Sequence, residues 1–265
     1  MGGHNAASCR TLHEYEFEVA RPRRLREISP MIGAVLSLAG VVFSGLAVPA
    51  AAPCGALRPT ATPILDIGAA DRHAPLAVYA IGFSPSGHFA WLERRRAADP
   101  EKTEWSLHIV DLVSDHFLAE RWFETKRADV AGVCEKFGPA IAILLDKNDI
   151  QAVTASAFEQ PSAANDPTGF DLRPGSPDAE SGKTPYDVIL RAKGGGKRLG
   201  SLYRVEVTAG EPPLGEPKIR GMLRNPFERR VAVFVTQDMV GSDGLQIPVV
   251  KVLGGRLDKG FVQNP

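Results

Sequence analysis

The sequence predicts a β-rich α+β fold: an antiparallel sheet or sandwich with one covering helix at about residues 127–150, and not a complete β-propeller. Three observations predict it. Residues 77–123 hold about four short apolar runs separated by turn residues, the pattern of an antiparallel meander. In residues 127–150 the period changes, and Val130, Val133, Cys134, Phe137, Ile141 and Leu144 recur at helical spacing. Strand patterning then returns and runs to the end of the chain. A propeller needs several blades to close its ring. YAIGFSPSGHFAWLERR, residues 79–95, resembles half of one blade, and the hairpin near the C-terminus is only a weak echo of it.

The first 52 residues are read apart from the fold. Residues 1–30 form a charged N-terminal extension, longer than an ordinary leader, and translation from a later start is one explanation for it. Residues 31–52, MIGAVLSLAGVVFSGLAVPAAA, are apolar and free of charge up to Val48, with Arg21, Arg23, Arg24 and Arg26 upstream. A basic region, an apolar stretch and small residues at the end make a secretory signal, with cleavage expected after Ala50. The run is also long enough to serve as an uncleaved anchor. Both alternatives put the basic side in the cytoplasm and the remainder outside it.

Residues 53–63 read as a Pro-rich linker and residues 64–265 as a single secreted domain. Residues 64–70 form a short strand. LAVYAIGF ends at Phe83, and Ser84-Pro85-Ser86-Gly87 turns the chain. Pro85 fixes φ at the first turn position, and Gly87 takes the left-handed conformation that closes the hairpin. In the next strand Phe89 and Trp91 face one way, Ala90 and Leu92 the other, so both faces are apolar, as in a central strand. WSLHIVDLV (105–113) and FLAERWF (117–123) complete the meander. In the helix, Pro139 predicts a break or kink after Phe137 or Gly138. Residues 156–184, rich in Pro, Gly, Ser and Asp, read as one long mobile loop. YDVILRA, SLYRVEV, IRGMLRN, RRVAVFVTQ and QIPVVKVL follow as strands, with KGGGKRLG as a turn between the first two.

Lys plus Arg equals Asp plus Glu, 31 each, so no general attraction to nucleic acid is expected. Signal removal discards Cys9 and leaves Cys54 and Cys134, which an exported protein can oxidise. A Cys54–Cys134 bridge would close a loop of about 80 residues and add about 4 kcal/mol; two separate thiols are the alternative.

Motifs that would carry chemistry are weak. Gly82-Phe83-Ser84-Pro85-Ser86 approaches the G-x-S-x-G elbow, but it ends in Ser and leads into a strand where the elbow needs a helix. Gly194-Gly195-Gly196-Lys197-Arg198 lacks the spacing and the following helix of a P-loop. His73, His88, His108 and His116, with Asp111 and Asp115 nearby, have no metal-ligand spacing, and no metal or cofactor is expected. Trp91, Trp105 and Trp122 read most simply as core.

Gly82-Phe83-Ser84-Pro85-Ser86-Gly87-His88-Phe89-Ala90, Leu107-His108-Ile109-Val110-Asp111-Leu112 and the strand at 230–235, together with the leader, resemble a domain-of-unknown-function family of bacterial predicted secreted proteins. The F-S-P-x-G and V-D-L pieces also resemble blades of the periplasmic propeller proteins that work with Tol and Pal, although their repetition is lacking. The family resemblance implies export and supplies no activity or catalytic residues.

The reading is therefore an exported cell-envelope protein, periplasmic or secreted, that binds an envelope protein or a small ligand without catalysis. Membrane contact is expected only through residues 31–48, if they remain as an inner-membrane anchor with the C-terminal domain outside the cytoplasm. The alternative is an exported hydrolase acting on envelope or glycan substrates, with Asp111 and Glu93 as first acid–base candidates.

Overall fold

The computed structural model describes residues 59–68, 74–97, 99, 101–152, 158–161, 169–192, 195–206, 213–241 and 244–263, all within the unit Pro49–Pro265. The extension, the apolar segment 31–52, most of the linker, Cys54 and His73 lie outside the described residues. Among the described residues no helix is long and apolar enough to cross a membrane.

The meander forms as expected. β1 (Leu65–Ile67), β2 (Leu76–Phe83), β3 (His88–Arg96), β4 (Thr103–Asp111) and β5 (His116–Thr125) pair antiparallel in sequence order. All eight residues of β2 are buried, because both of its faces are covered. The turn after it is held by Ser84: its N–H donates to the His88 carbonyl at 2.9 Å, and its hydroxyl accepts from the His88 N–H at 2.9 Å. Gly87 sits at φ +93°, where a Cβ would also meet Glu228 Oε1 at 3.0 Å. Gly87→Ala should therefore cost roughly 1–2 kcal/mol, seen as a lower urea midpoint with an unchanged slope.

One helix, α1 (Val130–Lys147), covers this sheet. Asp129 caps its start by accepting the Gly132 N–H at 2.5 Å. The helix does not break at Pro139, contrary to the sequence expectation. Proline removes one backbone donor, but Val133, Cys134 and Phe137 before it and Ile141, Leu144 and Leu145 after it all join the same core with the sheet. Burial on both sides of the proline outweighs the lost hydrogen bond. The chain leaves the helix into β6 (Gln151–Ala152), which pairs with the end of β2.

The opposite face of the six-stranded sheet packs on a second sheet, β10 (Lys218–Arg224), β11 (Arg230–Val240) and β12 (Gln246–Arg256). Leu76, Val78, Phe83, Phe89 and Trp91 meet Leu223, Ala232, Phe234, Val250 and Val252 there. The far side of the second sheet packs on a third, β7 (Gly169–Pro174), β8 (Lys183–Ala192) and β9 (Gly195–Val205), through Val231, Val233 and Val235 against Val188, Leu190 and Leu202. The order of layers is helix, sheet, sheet, sheet. β11 lies in an inner layer with apolar neighbours on both faces, which explains its nearly unbroken run RVAVFV.

Two loop readings are corrected. β7 lies within 156–184, and β9 begins at Gly195, inside the stretch read as a turn. β7 offers only Phe170 and Leu172 as apolar alternation, between a Gly and a Pro. It reaches strand geometry by pairing with β8 and half-burying those two side chains.

Candidate functional site

On the face of the six-stranded sheet that meets β10–β12, alternation along β3 aligns Phe89, Trp91, Glu93 and Arg95. The register sets Trp91 opposite His108 and Glu93 opposite Ser106 on β4, then His108 opposite Glu120 and Ser106 opposite Trp122 on β5. The apolar contact with the second sheet reaches Phe89, Trp91 and Val110. One step further along each strand the row turns polar, while Glu93, Ser106 and His108 stay buried.

Glu93, 2% exposed, is fully engaged. Trp91 Nε1 donates to its Oε1 at 3.0 Å, and Arg95 donates to Oε2 from Nη2 at 2.8 Å and from Nε at 3.3 Å. The His108 ring stacks on Trp91, with centroids 4.9 Å apart at 17°, and lies near Phe117 and Trp122 at 5.8 and 6.4 Å. His108 Nε2 is 2.7 Å from Ser106 Oγ and 3.6 Å from Glu93 Oε1. Its Nδ1 is buried without a hydrogen-bond partner, and Glu120 Oε1 lies 3.6 Å away.

Burial holds His108 below the ordinary imidazole pKa. Glu93 and then Glu120 push the other way without overcoming it, and Arg95 adds to the lowering. The ring is therefore neutral at pH 7. A group neutral in the fold and free to protonate when unfolded contributes its full stability above the ordinary value of 6.5, and the contribution falls as pH drops below it. The urea midpoint should decline from about pH 7 to 5.5, at no more than about 1.4 kcal/mol per pH unit from this residue. His108→Phe should flatten that part of the profile.

The edge strand β5 completes the site. Trp122 is 56% exposed and Phe117 53%, and Leu118, also exposed, is the extra residue of a bulge on β5, skipped where Ile109 and Val110 face Ala119 and Phe117. Trp122 is thus not core, unlike Trp91 and Trp105, which are wholly buried. The reason is position: β5 pairs only with β4 among the described residues, and it is Ala119 and Phe123 that reach the helix-side core.

The other sequence candidates do not join this cluster. Asp111 faces His88 in the register and Glu93 faces Ser106, five residues away along β4, about 17 Å at strand rise. The Asp111 carboxylate holds the next turn, accepting the Val113 N–H at 2.8 Å and the Ser114 hydroxyl at 2.7 Å. Burial raises its pKa, yet these two bonds and the nearby His88 and Arg230 leave it below the usual range. Ser84 is buried in its own turn, and Gly82-Phe83-Ser84-Pro85-Ser86 presents no nucleophile. His88 Nδ1 lies 3.1 Å from the Asn148 carbonyl, and His116 is exposed. Among the described residues no three His, Cys, Asp or Glu side chains are placed to hold a metal. Cys134 is buried on α1 and disulfide-bonded, and Cys54, its expected partner, lies outside the described residues.

Sequence reasoning missed the cluster as a unit, although it named Glu93 and His108 singly. The signal was Trp91-x-Glu93-x-Arg95 beside Ser106-x-His108: polar residues at inward-facing positions of strands with apolar neighbours. Comparison with protein-family models, curated proteins and solved structures found no match.

Proposed function

We propose that the chain is an exported cell-envelope protein that works by binding, with the β5 side of the six-stranded sheet as its binding face. The observation that carries this reading is the pair Phe117 and Trp122, large rings left in solvent on a strand that pairs only with β4 among the described residues, directly beside the buried Trp91–His108–Glu93 array. Exposed aromatic side chains on a sheet edge are a liability unless a partner or ligand uses them. The basic, apolar and small-residue order of residues 21–52 supports export, as does the resemblance to predicted secreted proteins. Cys134 paired with Cys54 would fit an oxidising compartment.

A second reading has one observation in its favour. Ser106 Oγ, His108 and Glu120 follow one another in the order of a serine–histidine–acid relay. Against it, Ser106 is 1% exposed, so its hydroxyl has no path to a substrate carbonyl. Cell fractionation with N-terminal sequencing, joined to an ester and glycoside hydrolysis panel, tests both. The binding reading expects protein outside the cytoplasm, a new N-terminus at Ala51 or a retained anchor, and no turnover. Purely cytosolic protein contradicts export. Turnover abolished by Ser106→Ala would replace binding with hydrolysis.

A further inference from the structure

We infer that the outer edge of β10 is a peptide-binding groove that reads an aromatic residue followed by glutamate in extended backbone, and that Phe158-Glu159 of the same chain fills it as a displaceable strap. The partner it fits is a linear segment of another protein carrying that pair. The groove belongs to the second sheet and is separate from the β5 face.

β10 ends the order β10-β11-β12, so one of its sides has no strand of the sheet beside it. Glu159 lies against that side. Its N–H donates to the Met222 carbonyl at 3.0 Å, and the Met222 N–H donates to its carbonyl at 2.9 Å. Its carboxylate accepts from Arg224 Nε at 2.5 Å and Nη2 at 2.8 Å, the two-pronged geometry that suits a carboxylate. Phe158 turns inward and joins the core between the first and second sheets, its ring edge-on to Phe234 with centroids 5.6 Å apart at 73°. Two neighbouring side chains on opposite sides of an extended backbone are thus read separately.

The seat is built into the strand. Arg220 is skipped in the pairing with β11, and Gly221 beside it stands at φ +152°. A Cβ on Gly221 would meet the Glu159 carbonyl oxygen at 2.5 Å and Phe158 Cζ at 2.6 Å. A bulge and a strand glycine mark where a second backbone comes close. The strap nevertheless uses little of the edge. β10 has seven residues, and among the described residues the strap makes one isolated bridge to it. Its ion pair stands partly in water, with Arg224 45% and Glu159 37% exposed, which screens it. A peptide with the same two side chains can pair along more of β10 than the strap does, and main-chain pairing of that kind is what displaces it.

Fluorescence anisotropy of the full-length chain with short labelled peptides tests the inference. SAFEQP copies residues 156–161, and SAAEQP and SAFQQP lack its ring and its charge. The double variant Phe158→Ser, Glu159→Ser, with the groove vacated, should bind SAFEQP saturably and about tenfold or more tighter than the parent, where the strap competes. It should bind each altered peptide about tenfold or more weaker than SAFEQP. Arg224→Gln added to the double variant should erase the preference for SAFEQP over SAFQQP. The unmodified chain gives a second measurement that needs no variant to fold. Hydrogen exchange at the Met222 amide, whose acceptor is on the strap, should be about a hundredfold or more faster than at Val233 inside the sheet. No saturable binding by the folded double variant, equal affinity of parent and variant, or equal binding of SAFEQP and SAAEQP would overturn the inference. Exchange at Met222 as slow as at Val233 would also overturn it. A dimer of the parent chain that SAFEQP dissociates would overturn the outside partner in favour of a second copy.

Discussion

Gly254→Ala is expected to destabilise the protein by about 3 kcal/mol or more, among the largest effects of any single methyl group in this chain. A Cβ at position 254 would fall on the Leu112 carbonyl oxygen, 2.5 Å from its carbon and 2.7 Å from the Leu112 Cα. The obstacle is backbone, so no rotamer change relieves it. The same carbonyl accepts from Arg230 Nη1 at 2.9 Å, and the Gly254 N–H donates to Asp115 Oδ1 at 2.7 Å. The turn between β4 and β5 is thus clamped onto β11 and β12, and the missing Cβ is what allows the approach. A melting temperature lower by on the order of 10 °C should accompany the substitution. Gly68→Ala, where nothing lies within 4 Å of the added carbon, should be nearly neutral. Equal stability of both variants would mean that the two layers do not meet at Leu112.

Glu93→Ala should cost a similar amount, about 3 kcal/mol, for a different reason. It removes a buried carboxylate that satisfies the Trp91 Nε1–H and two Arg95 donors at once. Breaking one side of a buried pair costs about 3–5 kcal/mol, because the remaining groups lose their partner in a medium that does not replace it. Arg95 can still reach water, since its side chain is 21% exposed, which holds the loss near the lower end. Trp91, itself fully buried, cannot. Glu93→Gln keeps an oxygen for the indole and gives up the charge, so it should lose less than Glu93→Ala. Urea denaturation followed by tryptophan fluorescence measures both. If the two variants are equally stable as the parent, Glu93 is not holding the array together.

How far these features could be read from the sequence depended on the range of the interactions. The β2–β5 meander was legible because its alternation and turns are local: Phe89 and Trp91 against Ala90 and Leu92 anticipated two separate cores, and both exist. The helix was legible as a periodic face, but its continuity through Pro139 was not, since that depends on the sheet beneath it. β7 was hidden because strand pairing with β8, not its own composition, makes it a strand. The stacking of three sheets was out of reach for the same reason: the partners of Val231, Val233 and Val235 lie some forty residues earlier in the chain, on β8. Trp122 was misread because an edge position in a sheet leaves no local mark. The candidate site combined both kinds of information. Its strand positions could be read, whereas the opposition of His108 to Trp91 and Glu120 needed the register.

The central claim is that the solvent-facing side of β5, beside His108, is where this protein meets its ligand or partner. Photocrosslinking in cells tests it most directly, with a photoreactive residue placed at Leu118 on β5 and, in a separate strain, at Ile143 on α1, both exposed apolar positions. The account predicts a discrete adduct from position 118, resolved by mass spectrometry, and none from position 143. Adducts of equal yield from both positions, or from position 143 alone, would contradict it.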